Sequence, residues 1–145
     1  MGYHTWNTYG LGICLDNDQI SSVERIQKLL QYAPALNADV HRWFAQNGVK
    51  FPKIEDYEAF DEEYGLGIAM LIKQVLSEAE GIEFTACDDY EGRLYLLYEP
   101  SYPWERSNRE RTISEKEIRE ILIKYLSVII DESIEIDYIS AGNGG

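Results

Sequence analysis

Four side chains in this 145-residue chain could serve as nucleophiles or transition-metal ligands: His4, Cys14, His41 and Cys87. Zinc sites draw on such residues at short, recurrent spacings, and no two of these stand at one, so no metal site and no cofactor is expected. A Cys–His catalytic pair needs adjacency in space that these spacings do not supply, and no catalytic residue is assigned. The two cysteines sit in apolar or strand-like contexts and read as reduced, buried thiols, with one disulfide as the other option. Asp16-x-Asp18 begins like a calcium loop. An EF-hand, however, needs glycine sixth and glutamate twelfth, where this chain has Ser21 and Gln27. Tyr9-Gly-Leu-Gly-Ile13 recurs as Tyr64-Gly-Leu-Gly-Ile68. Glycine-rich turns before helices can cradle phosphate, but neither copy matches a dinucleotide or Walker pattern. Asp61, Glu62 and Glu63, just before the second copy, would repel the anion.

Carboxylates are abundant, so any single pair chosen for acid–base hydrolysis is uninformative. Their distribution carries more. Residues 54–92 hold twelve of the twenty-six carboxylates and one base, Lys73, and so contribute −11 to a net charge of −13. The last fifteen residues add Asp131, Glu132, Glu135 and Asp137 without a base. A localised, one-signed patch makes a directional field that selects basic partners and speeds encounter with them. The same charge argues against direct nucleic-acid binding, which needs Lys and Arg to neutralise phosphate, and against an anionic membrane surface.

Tyrosine occurs eleven times, often beside an acid, and supplies contact area at low entropic cost plus a hydroxyl. Residues assigned to partner binding are therefore Glu55, Asp56, Tyr57, Glu58, Asp61, Glu62 and Glu63 in one block. Glu83, Asp88, Asp89, Tyr90 and Glu91 form a second, and Glu135 and Asp137 a third. The proline-stiffened run Pro100-Ser-Tyr-Pro-Trp-Glu-Arg106 adds Tyr102, Trp104 and Arg106, residue types that dominate interface hot spots.

Tyr3–Leu15 reads as a first strand with a bend at its glycines. Ser21-x-x-Glu24 reads as a capping box for a helix closed by Pro34, and a second helix runs from an Asn37 cap to Asn47-Gly48. Ile54–Phe60 is a short amphipathic helix, and Leu66–Ala79 is a buried apolar helix stopped at Gly81. Ile82–Cys87 and Arg93–Glu99 make a hairpin across an acidic loop. A second capping box, Ser114-x-x-Glu117, opens a helix with apolar Ile118, Ile121, Leu122, Tyr125, Leu126 and Ile129. Ile134–Ile139 alternates and reads as the last strand, followed by a flexible tail over 141–145. The order gives a single α+β domain over 1–140, a small, mainly antiparallel four-stranded sheet with four or five helices on one face. If strands two and four pair, Glu83, Glu135 and Asp137 share the outer sheet face. No basic, apolar leader and no apolar run of membrane-spanning length is seen, so a cytoplasmic location is expected.

Tyr3-His-Thr-Trp-Asn-Thr-Tyr-Gly-Leu-Gly-Ile-Cys14, Thr85-Ala-Cys-Asp-Asp89 and Leu96-Leu-Tyr-Glu-Pro-Ser-Tyr-Pro-Trp104 resemble small uncharacterised proteins of Firmicutes and their phages. That resemblance implies no activity. In size and acidity the chain also resembles phage-encoded anti-defence inhibitors, including DNA mimics. The expectation is a non-enzymatic binder of a basic protein groove, such as that of a nucleic-acid-binding protein. One alternative is a small enzyme or ligand-binding domain with an Asp/Tyr/His-lined cleft. Another is a self-associating protein whose Arg106–Arg111 loop docks on a neighbour's acids.

Overall fold

The computed structural model describes residues 5–15, 19–20, 22–60, 66–89, 93–99, 110 and 112–144. Along it run β1 (Thr5–Leu15), α1 (Val23–Leu30), α2 (Pro34–Gln46), α3 (Ile54–Ala59) and α4 (Gly67–Glu80). Then come β2 (Thr85–Asp88), β3 (Leu94–Tyr98), α5 (Glu115–Ile129) and β4 (Asp137–Gly144). The strands form one antiparallel sheet in the order β2-β3-β1-β4. Leu11, Ile13 and Leu15 of β1 and Leu94, Leu96 and Tyr98 of β3 alternate into the core that all five helices share. The fold is therefore the expected α+β arrangement. Cys87, Tyr95, Leu97 and Ala141 gather on the opposite sheet face.

Local signals explain most helix ends. Ser114 accepts from the Glu117 amide at 3.2 Å and caps α5 as its box predicts. Gly81, at φ 69°, ends α4 in the left-handed conformation that glycine adopts freely. At the end of α2 the Val49 amide reaches back to the Phe44 carbonyl at 2.9 Å, with Gly48 at φ 70°. Two expectations shift. The cap of α1 is Ser22, which accepts from Arg25, and not Ser21, which lies outside the described residues. Pro34 opens α2 instead of closing α1, since a first-turn residue has no intrahelical use for the missing N–H. Asn37 is consequently inside α2, and the cap comes from α4: Glu78 accepts from Ala35 and Leu36 amides at 2.9 and 2.8 Å.

The first strand is where the sheet is tightest. β1 pairs with β4 over Thr5–Gly12 and with β3 over Leu11–Leu15. A Cβ on Gly12 would stand 1.9 Å from the Leu96 carbonyl oxygen, and one on Gly10 2.6 Å from that of Tyr98. The first copy of the repeated pentapeptide thus needs glycine for close backbone approach. The second serves another purpose: Gly67 starts α4 at φ +49°.

Strands two and four do not pair, correcting that expectation. β2 and β4 occupy opposite edges, although the sheet curls enough to bring Cα atoms of the two within 8 Å. The last strand is also displaced. It spans Asp137–Gly144 in place of Ile134–Ile139, so residues 141–144 pair with Thr5–Thr8 and are not a tail. The register sets Cys14 opposite Tyr95 and Tyr95 opposite Cys87. Two strand spacings of about 4.8 Å separate the cysteines, too far for a disulfide; Cys87 is buried as expected, whereas Cys14 is exposed.

Gly12→Ala is expected to cost about 3 kcal/mol or to prevent folding, because backbone must move. Chemical denaturation measures it, and a cost below about 0.5 kcal/mol would contradict the close approach. Glu78→Ala, which uncaps α2, is expected to cost about 1–2 kcal/mol in the same assay.

Candidate functional site

Helix α5 has a second stripe besides its core face. Glu115, Arg119 and Ile123 recur every four residues, and Ile123 is 48% exposed. Beyond α5, Ile130 bridges to Ile20 in antiparallel sense, and β4 first meets β1 where Asp137 faces Gly12. Residues 131–136 between these two pairings form no strand. Their course is pinned by Arg25 on Asp131 at 2.6 Å and by an Arg119 guanidinium N–H donated to the Ile136 carbonyl at 2.9 Å. Gln19 donates to Glu132 at 3.4 Å.

The space enclosed is a cleft of about 870 Å³, within the size range of ligand sites. Ile13 and Ile130 of the core, with Ile134 and Ile136 packed against it, form an apolar floor, and Ile123, Cys14 and Ile139 line the remainder. Glu132, Glu135 and Asp137 stand exposed at its rim without an ion-pair partner among the described residues. Arg119 is occupied by Glu115 at 3.5 Å as well as by the Ile136 carbonyl. Just outside, Tyr138 donates to Glu115, which holds that carboxyl below its usual range and the phenol above its own. Tyr9 stacks on Tyr138 with ring centroids 6.0 Å apart.

Known proteins add nothing to this geometry. No family model, curated protein or solved structure matches the chain. The site must be judged on its own chemistry. No histidine is among the described residues that line it, and no three His, Cys, Asp or Glu among the described residues cluster to hold a metal ion. None of the described helices is long and apolar enough to cross a membrane.

The residues assigned from sequence fall in separate places. Glu135 and Asp137 are at the cleft. Glu55, Asp56 and Glu58 are on α3, where Asp56 accepts from the Lys53 amide at 2.8 Å and caps the helix. Tyr57 is not at a surface: it is fully buried, edge-on to Phe44 at 5.0 Å. Helix spacing turns it inward with Ile54 while its acidic neighbours turn out. Glu83 precedes β2 and accepts from Ser77 and, at 3.3 Å, from Lys73 on α4. Asp88 is exposed at the end of β2. Asp89 latches the hairpin, accepting from the Arg93 amide at 3.0 Å and the Tyr95 hydroxyl at 2.8 Å. Burial and that bond push the Tyr95 phenol up to about 12. Asp61, Glu62, Glu63, Tyr90, Glu91, Tyr102, Trp104 and Arg106 lie outside the described residues.

Sequence reasoning did not assign Gln19, Arg119, Ile123 or Glu132 to a site, and weighed Cys14 only as a nucleophile or metal ligand. The available signal was Ile123, an apolar residue left over once the core stripe of α5 is assigned.

Two carboxyls outside the cleft give opposite pH responses. Burial and the nearby Glu55 hold Glu58 above the usual carboxylate range, so its ionised form opposes folding at neutral pH. The Ser77 hydroxyl, then Lys73, hold Glu83 below that range, so its ionised form supports folding there and the support is lost as pH falls. Glu58→Gln is expected to raise stability at neutral pH and Glu83→Gln to lower it, each by a few tenths of a kcal/mol. Denaturation midpoints across pH should show both differences closing toward about pH 3.

Proposed function

We propose that this chain is a non-enzymatic interaction protein that engages a basic segment of a partner protein, with the β1–α5–β4 cleft as the contact. A single observation carries the reading: an isoleucine floor rimmed by Glu132, Glu135 and Asp137, whose charges no described cation neutralises. Apolar contact would supply affinity, and the rim would supply selection and fast encounter. An extended chain with Lys or Arg flanking an apolar side chain fits both. Among the other described acids, Glu78 and Asp56 cap helices, Asp89 latches the hairpin and Asp88 lies at the far sheet edge, so these support the reading only through the long-range field. A peptide-sized site accounts for this dispersal better than a long row of phosphate-like charges. Basic surfaces of nucleic-acid-binding proteins belong to the partner class.

Fluorescence anisotropy with a labelled peptide of alternating lysine and valine tests it. Binding is expected at low ionic strength, falling steeply with salt. The triple variant E132Q/E135Q/D137N should weaken it about tenfold or more, a change of about 1.4 kcal/mol. The variant E55Q/E58Q, on α3, should leave it unchanged. Salt-insensitive binding, or equal loss in both variants, would overturn the assignment.

A further inference from the structure

The loop between α2 and α3 has the composition that this cleft would select. It runs Val49-Lys50-Phe51-Pro52-Lys53, and Phe51, 88% exposed, is the most exposed large hydrophobic residue among those described. Lysines stand on both sides of it. Arg25, Arg42, Lys73, Arg93, Lys116, Arg119 and Lys124 all have carboxylate partners. Among the described cations, the ones without such a partner are Lys28, Lys50 and Lys53, and two of those three flank Phe51. The carboxylates left unneutralised at the cleft rim are thus matched by cations left unneutralised in one loop.

The two surfaces belong to different parts of one molecule. The loop leads into α3, which packs on α4 over β2 and β3, whereas the cleft opens at the β4 edge. We propose that the cleft of one copy takes the 50–53 loop of a second copy, with Phe51 on the isoleucine floor and Lys50 and Lys53 against Glu132, Glu135 and Asp137. Pro52 fixes the backbone beside Phe51 and lowers the entropy lost on docking. Such a contact joins unlike surfaces, the α2–α3 loop and the cleft at the β4 edge. One such contact leaves a free cleft on one copy and a free loop on the other, so it can repeat head to tail. One loop in one cleft is a small interface, and each copy carries a net charge of −13, so association is weak. The loop would also compete with the basic partner segment for the same cleft.

Sedimentation velocity of the full chain over a concentration series tests this, at about 0.05 M salt, where screening is modest. Average mass is expected to rise with concentration beyond that of a dimer and to fall when salt is added. The variants K50E/F51S and E135K/D137K alter exposed side chains, so both should fold, and each alone should be monomeric. Mixed in equal amounts they should form a dimer that grows no further, since only one intact loop–cleft pair remains. A monomeric wild type, association that persists in either variant, or a mixture that stays monomeric overturns the proposal. Wild type that stays monomeric yet binds the lysine–valine peptide overturns self-docking and leaves the basic-partner reading standing.

Discussion

Strand β1 has to satisfy two neighbours at once, and the rest of the molecule follows from how it divides itself. Its first eight residues pair with β4 and its last five with β3, and the two sets overlap only at Leu11 and Gly12. Around that overlap β1 presses so closely on β3 that a methyl group at Gly12 would meet a carbonyl oxygen. Both neighbours cannot be held by a flat strand with ordinary side chains there. Glycine removes the obstruction and lets the sheet curl. The curl lets α1, α4 and α5 share one core on the inner face and gathers Cys87, Tyr95, Leu97 and Ala141 on the outer one. The cleft is a consequence of the same division. β4 leaves β1 beyond Gly12 while β1 continues alongside β3, so the chain leading into β4 must pass at a distance.

Acidity concentrated in one stretch would destabilise a small fold if its charges merely repelled one another. Most of the described carboxylates there have a structural partner instead. Glu78 caps α2, Asp56 caps α3, Asp89 fixes the hairpin and Glu80 accepts from the buried Tyr125 hydroxyl. A helix cap contributes about 1 kcal/mol, whereas an exposed like-charge contact costs a few tenths. Burial of α4 is larger than either. Ile68, Leu71, Ile72, Val75 and Leu76 are all buried, at about 1.5–3 kcal/mol for each fully buried side chain. The apolar helix decides the fold, and the acids around it are accommodated by local bonds. Glu132, Glu135 and Asp137 at the cleft have no cation partner among the described residues, and only Glu132 and Asp137 accept a bond there, from Gln19 and from the Tyr138 amide.

How far sequence foretold this depends on the range of the interaction. The Ser114 box, the Gly81 stop, the buried stripe of α4 and the β2–β3 hairpin were legible because each is set by residues a few positions apart. Strand pairing was not. Ile134, Glu135, Ile136 and Asp137 do alternate, and the alternation is real: the isoleucines are half-buried and the acids exposed. It marks a cleft wall instead of a paired strand, and period alone does not separate the two. Conversely, Ala141-Gly-Asn-Gly144 has little strand propensity, yet it is held by backbone pairing to Thr5–Thr8 that needs no particular side chain. The α2 cap shows the same limit. Its donors and the Glu78 carboxylate are more than forty residues apart, and no local pattern links them.

The composition of the cleft also determines how a bound segment would respond to its surroundings. Rim carboxylates alone give attraction that fades beyond about 8 Å at physiological salt. They would favour any cation and hold none for long. Floor isoleucines alone would favour any apolar chain. Together they favour a segment that alternates the two, because each misplaced side chain leaves either a charge against isoleucine or an apolar group against water. The distinction lies in geometry. Ile134 and Ile136 are half-buried in the same short run that leaves Glu135 exposed, so floor and rim alternate residue by residue. A ligand that matched both under the proposed reading would share that two-residue period, as an extended peptide does and a helix does not.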